Sequence, residues 1–487
     1  MYDKIEGGSV IDIQGLKCNL PPQGYVFNII TKQVEFRGIY KRSEIESEQY
    51  WKRILLPDWY QDTMKKWDEF DKKKKDDELE FYDERLEEYK KQEWDRRLNG
   101  FWYMNNGKPL FLTGLHYLYL QWWPIDIGYP KFRMPDLEKF YFMEYCIQDP
   151  LCMGMLEVTK RRFGKSFVAG LFVSEYITRT KMTNGGIQSK TGSDAKKFFA
   201  KTVVNPFRRL PKFFRPEYDM SLGVNPKTEM RFQKTNVRGK KAEDSVDKDE
   251  LGSIIDHQSA DTVAYDGQKL HRYVADECGK TTEVNVYDRH EVVRYCLLDD
   301  EGKIIGKALY TTTVEKLTTE KDGVQDAFKL LWEESNQDKR QENGTTSSGL
   351  YRFFMSAKRT RNFDDFGFPD ENKTLDQILA DRETVKNNPR ALSARVRKEP
   401  LTIDEAFSTD SDKCIFNVMN IGAREQYLKE FPVLKRHIIF YRDIDQTVRW
   451  RNITDKEEDF HWVITQFPKK GEENKHTYDI KTRKPAR

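Results

Sequence analysis

An apolar run, Met155 to Val158, leads into a short loop that closes on Gly164-Lys165-Ser166, and a helical apolar pattern follows at once. Such a succession is a phosphate cradle, because loop N–H groups and the positive end of a helix dipole both face an anion. There Lys165 reaches the β- and γ-phosphates of ATP, the Ser166 hydroxyl holds Mg2+, and Thr159, Lys160, Arg162, Phe163 and Gly164 line the nucleotide. The first glycine of the usual pattern belongs five positions before Gly164, where Thr159 stands. The motif is therefore degenerate, and an ordinary strand-to-helix turn is the plain alternative. Arg161 and Arg162 lie inside the same loop, where a guanidinium can stabilise charge on a transferred phosphoryl group. Their plain alternative is an ion pair with a neighbouring acid.

A second element answers the first. Leu270 to Ala275 alternates as a strand does and runs directly into Asp276-Glu277. ATP hydrolysis needs one carboxylate at a strand end for the Mg2+ shell and an adjacent one to polarise water. Asp276 takes the first role and Glu277 the second. Acidic pairs of this kind are common on surfaces, so the weight lies in the combination with the lysine loop. The run Lys307 to Thr313 ends in three hydroxyls, Thr311, Thr312 and Thr313. A polar strand end there can sense a γ-phosphate, while a plain threonine-rich strand is what β propensity alone would give.

Lys190 to Arg215 holds eight basic residues against one acid, Asp194, with Phe198, Phe199, Phe207, Phe213 and Phe214 interleaved. The charge fits contact with a phosphate backbone. The phenylalanines more readily anchor a helix to a core than stack on bases. The seven histidines show neither HxxxH nor HxH spacing, which speaks against a histidine metal site. Hydrolase-triad and dinucleotide-binding signatures are missing as well.

The elements that must hold these residues follow from periodicity. Strands are expected at Gly154–Thr159, Gly185–Ser189, Ser253–Ile255, Arg272–Ala275 and Lys307–Thr313, and helices at Leu137–Gln148, Lys165–Thr178 and Asp194–Val203. Strand–helix alternation from Pro135 to Phe407 predicts an α/β P-loop NTPase fold, of the ASCE/RecA-like kind, around a mainly parallel sheet. Upstream, Gln61 to Leu98 carries 14 acids and 11 bases, with Leu79, Tyr82, Leu86 and Tyr89 as a narrow stripe on one long charged helix. That helix is either a solvated face laid on a neighbour or a partner-binding or lid element. Phe101 to Trp123 is aromatic-rich and strand-like, with a turn at Asn105-Asn106-Gly107. Three domains are expected: 1–100 with the charged helix, 101–435 as the ATPase, and a β-rich 436–487. The chain has 487 residues, net charge +3 and 33% charged and 13% aromatic residues. That composition is too rich in core-forming residues for disorder. Six scattered cysteines without a CxxC pair fit a reducing compartment. No signal peptide and no membrane span is expected.

Taken in order, these strings resemble the large terminase subunit of tailed bacteriophages. TKRRFGKS resembles the terminase variant of the Walker A motif, in which an arginine, here Arg161, lies three before the second glycine. VADE resembles its Walker B strand with the catalytic glutamate at Glu277, and Thr311–Thr313 its coupling motif. KEPLTIDEAF (398–407) resembles the string near the end of the terminase ATPase domain. The resemblance implies ATP hydrolysis that drives double-stranded DNA into a viral procapsid. It also implies a ring of subunits on a portal protein, a small terminase subunit as partner, and the host cell cytoplasm as location. After Phe407 the chain is too short for the family's RNase H-like nuclease, so nuclease activity is not expected. Adenine-contact residues are not clear, although Arg133 and Asp136 lie in about the right place. Two rivals stay open: a superfamily 2-type helicase, which needs a second RecA-like lobe, and a non-catalytic DNA-binding scaffold with a decayed phosphate loop.

Overall fold

The computed structural model of the chain describes residues 7–73, 80–233, 250–281, 284–313, 324–407, 424, 427–428, 436–454 and 462–464. Residues 1–410 and 411–487 form two compact units. The first opens with two hairpins that periodicity did not reveal, β1 (Ser9–Ile13) with β2 (Leu16–Leu20) and β3 (Tyr25–Asn28) with β4 (Gln33–Phe36). The expected single charged helix is two, α1 (Tyr60–Lys73) and α2 (Glu84–Asn99). The physical reason is Asp83, whose side chain accepts from the Leu86 N–H and caps a new helix start. Tyr82 is consequently exposed ahead of α2, Leu86 is buried within it, and Leu79 lies outside the described residues. Gly100, at φ +91°, ends α2.

The aromatic stretch is part strand and part helix. β5 (Phe101–Asn105) and β6 (Lys108–Leu112) form a hairpin around Asn106-Gly107. Gly114–Trp122, read as strand-like, is instead α3, capped by the Thr113 hydroxyl on the His116 N–H and buried at every residue. A helix buried all round shows no polar face, so its period is invisible in sequence. α4 (Met134–Gln148) completes the lead-in.

The central sheet has seven strands in the order β13-β7-β12-β11-β8-β10-β9. They are β7 (Gly154–Thr159), β8 (Asn184–Gln188), β9 (Glu229–Phe232), β10 (Ser253–His257), β11 (Arg272–Asp276), β12 (Lys307–Thr312) and β13 (Leu350–Met355). All pairings are parallel except β9 on β10. Side chains of successive residues go to opposite faces. Met155, Val274 and Leu309 join one core with α3, α4 and α5 (Lys165–Ile177). Leu156, Tyr273 and Tyr310 join a second core with α8 (Val286–Cys296) and α9 (Val324–Glu334). Between β8 and β9 a helical rod runs as α6 (Gly192–Phe198), a π-helical segment (Phe199–Val204) and α7 (Asn205–Arg208). α10 (Glu371–Glu383), α11 (Pro389–Lys398) and α12 (Ile403–Ala406) follow β13.

This is an α/β fold around a mainly parallel sheet. β12 lies between β7 and β11, so the lysine loop and the acidic pair sit on strands one apart. The Gln337–Gly349 stretch, whose composition predicts a surface loop, is irregular, but Gln337, Thr346 and Ser348 in it are buried. In the second unit β14 (Arg436–Arg442) pairs antiparallel with β15 (Val448–Asn452) and β16 (Trp462–Ile464). No helix among the described residues is long and apolar enough to cross a membrane.

Candidate nucleotide-binding site

β7 ends at the buried Thr159, whose hydroxyl has no hydrogen-bond partner among the described residues. Five residues later Gly164 takes a left-handed conformation, φ +88°, and α5 begins at Lys165 with no side chain capping its first turn. Glycine is suited to that conformation, and an uncapped helix start leaves its N–H dipoles for an anion.

Across the site, register places Asp276 beside Thr311. The Ser166 hydroxyl donates to Asp276 Oδ1 at 3.1 Å, and the Thr311 hydroxyl donates to the same oxygen at 3.1 Å. Burial, then the neighbouring Glu277 charge, push the Asp276 carboxyl up to about 6 against the pull of Lys165 and both hydroxyls. Glu277 stands in a left-handed turn, φ +53°. Its Oε1 lies 3.0 Å from Lys165 Nζ and its Oε2 lies 2.6 Å from Lys280 Nζ. Burial raises its pKa, yet the two lysines together hold the carboxyl below the ordinary glutamate range. The Thr313 hydroxyl donates to Glu277 Oε2 at 3.4 Å, and Thr312 Oγ1 accepts from the Gly279 N–H at 3.1 Å. Each of the three threonines thus touches the acidic pair or the turn after it.

The loop residues divide. Phe163 is buried and lies under the Arg133 guanidinium, 4.2 Å from ring centroid to Cζ. Arg133 also donates to the Phe163 carbonyl at 3.2 Å and to Asp136 Oδ2 at 2.6 Å. Arg133 and Asp136 therefore brace the loop from behind. Behind them Lys139 Nζ lies 3.7 Å from Asp136 and 3.6 Å from Glu157 on β7, all buried. Lys160 pairs with Glu399 at 3.5 Å, and Arg361 pairs with the same carboxylate. Arg161 and Arg162 are exposed.

Sequence reasoning missed Lys280, Lys139, Glu157 and Glu399. Lys280 falls three residues after Glu277, the spacing of a helical turn, which is the one signal that was there to find. The others meet the site only through tertiary packing. In the 398–407 string, Arg382 clamps Glu405 with two hydrogen bonds, at 2.9 and 2.8 Å, and Phe407 packs on Phe328 and Trp332.

Hard oxygen donors at Ser166 and Asp276 that converge within 3.1 Å suit Mg2+, which prefers oxygen ligands and keeps part of its water shell. An open helix start beside one buried lysine suits a phosphate chain.

No family model matches the chain, and no curated protein matches it. Among solved structures it is similar to the large terminase ATPase domain of Thermus phage P74-26, at 16% identity and TM-score 0.34, over 53% of this chain and 91% of that one. It is similar to the large terminase of bacteriophage HK97, at 10% identity and TM-score 0.38, over 59% and 54%. It is also similar to the large terminase of a thermophilic bacteriophage in complex with ADP, at 13% identity and TM-score 0.30, over 49% of each. Likeness at this level assigns no role to any residue of this chain.

Proposed function

We propose that the chain is a Mg2+-dependent ATPase, the motor subunit that drives double-stranded DNA into a viral procapsid. One observation carries the reading. Lys165, Ser166, Asp276 and Glu277 come from two separated stretches of sequence and converge within 3.1 Å contacts at the carboxyl edge of parallel strands. Ligands of open α/β sheets bind at that edge.

Lys165 and the α5 N–H groups bind the β- and γ-phosphates, and Arg133 fixes the loop through the Phe163 carbonyl. Mg2+, held by Ser166 and Asp276, neutralises charge on the phosphate oxygens when bound. Glu277 orients the attacking water and accepts its proton. Without nucleotide the Lys165 ammonium neutralises Glu277; a triphosphate competes for that ammonium and frees one carboxylate oxygen for water. Arg161, exposed at the loop, stabilises the transition state, and Thr311–Thr313 carry the change at the acidic pair into the sheet.

The partners in this reading are duplex DNA, a portal protein, a small terminase subunit and further copies of the chain in a ring, in the host cell cytoplasm. The test is steady-state ATP turnover by the purified chain and by Lys165→Ala and Glu277→Gln. Both variants lose turnover by about 100-fold or more, the scale of a lost catalytic base. Equal turnover in all three overturns the proposal.

A further inference from the structure

The rod from α6 to α7 leaves the sheet at the site's own edge. Gln188, the last residue of β8, pairs in register with Ala275, one before Asp276, and the Thr191 hydroxyl caps α6 on the Asp194 N–H. One side of the rod is core: Ala195, Phe198, Phe199, Thr202, Val203, Val204 and Phe207 are buried. The other side is cationic: Lys196, Lys197, Lys201, Arg208 and Arg209 are all exposed. Lys201 pairs with Asp126 at 2.5 Å and Arg208 with Asn225. The rod also lies directly on α5, since a Cβ at Gly170 would stand 2.3 Å from the Thr202 carbonyl oxygen. The basic stretch of the sequence is therefore a stripe on an element packed against the helix that begins at Lys165.

We infer that this stripe is the surface that grips the phosphate backbone of duplex DNA. The seventeen helical residues from Gly192 to Arg208 span about 26 Å, close to eight base pairs of duplex. The form of the partner follows from what is absent on the exposed side. Single-stranded nucleic acid is held by aromatic platforms on which bases stack. Here Phe198, Phe199, Phe207 and Phe214 are committed to the core, and what the rod offers outward is charge. The inference rests on the motor reading for DNA rather than RNA as the duplex. It adds the place where the polymer meets the ATPase, one helix contact away from the phosphate loop.

The experiment is fluorescence anisotropy of the full chain on a labelled duplex of about 30 base pairs, without nucleotide, from about 50 to 200 mM salt. Five backbone contacts give a slope of log affinity against log salt of about −4.5, and Lys196→Gln/Lys197→Gln/Arg209→Gln reduces it to about −2. That variant loses affinity about tenfold or more at the lower salt, while its ATP turnover without DNA is unchanged. Lys65→Gln/Lys66→Gln/Lys72→Gln removes as much exposed charge from α1 and keeps the wild-type slope. The inference is overturned if the wild-type chain does not bind, if the α1 variant loses as much affinity as the rod variant, or if single-stranded DNA of equal length binds as tightly. Duplex RNA that displaces the DNA at equal concentration overturns the choice of DNA. Loss of ATP turnover in the wild type with DNA binding intact would refute the ATPase reading and leave the grip in place.

Discussion

Lys280 holds Glu277 by the oxygen that Lys165 leaves open, at 2.6 Å against 3.0 Å. The two cations have different futures once a triphosphate arrives. Lys165 is drawn to the phosphates, whereas Lys280, on the short helical turn after Glu277, stays with the carboxylate. Lys280 is thus a positioning residue for the base. Lys280→Met is expected to lower turnover about tenfold, a fraction of the base's full worth, while the Kd for a non-hydrolysable ATP analogue is unchanged. Lys280→Arg restores most of the turnover. Parallel losses in affinity and turnover would show that Lys280 merely supports the fold.

The buried Asp276 carboxylate carries a cost that stability measurements without nucleotide reveal. Its carboxyl titrates at about 6 in the fold against an ordinary 3.8, so the folded chain binds a proton that the unfolded chain has already lost. Stability therefore falls as pH rises from about 4 to 6, and the penalty is complete above that window. Asn at this position keeps an oxygen for the Ser166 and Thr311 hydroxyls without the charge. Asp276→Asn is expected to raise unfolding free energy by about 1–3 kcal/mol at pH 8 and by nothing near pH 3.5. Urea titrations at the two pH values check it. A destabilised variant at pH 8 would mean that the charge is satisfied after all.

How far the sequence shows this site depends on which contacts are local. The β7–loop–α5 succession and the β11 carboxylates are periodicity events, a change from period 2 to period 3.6 or a strand running into acids, and they are readable. β13 escaped because LYRFFM shows no clean alternation and a long polar loop separates it from α9, the helix that precedes it. The split between α1 and α2 was written at Asp83 and Leu86, but the surrounding charge runs concealed the cap. Lys139 and Glu157 lie 18 residues apart on different elements, and only the stacking of α4 on β7 brings them together. Local chemistry was legible; charge partners supplied by packing were not.

Gly170 sets the seat of the cationic rod on α5. A methyl group there meets the Thr202 carbonyl oxygen at 2.3 Å and its Cβ at 2.8 Å, and neither backbone helix can yield without moving the other. Gly170→Ala is expected to cost about 1–3 kcal/mol as an overpacked contact, although alanine is the better helix former. The same substitution weakens duplex binding, because it lifts the rod that carries the charge. Thermal unfolding and the anisotropy assay read the two effects separately. A variant as stable as the wild type would mean the rod does not rest on α5 there.

Glu399 restrains a cation that belongs to the phosphate loop. Its carboxylate lies 3.5 Å from Lys160 Nζ, and Arg361 shares it. Burial holds the Lys160 pKa below the ordinary lysine value, with Glu399 opposing that shift. Glu399→Gln leaves Lys160 without this counter-charge and available to a bound phosphate. Partly exposed pairs of this kind are worth about 0.2–1 kcal/mol, so KM for ATP is expected to fall by about two- to fivefold, most clearly at low salt. Lys160→Gln raises KM, and the double variant has the KM of Lys160→Gln alone, because the glutamate acts only through the lysine. A double-mutant cycle closes the argument: additive effects of the two substitutions would show that Glu399 influences the nucleotide by some route other than Lys160.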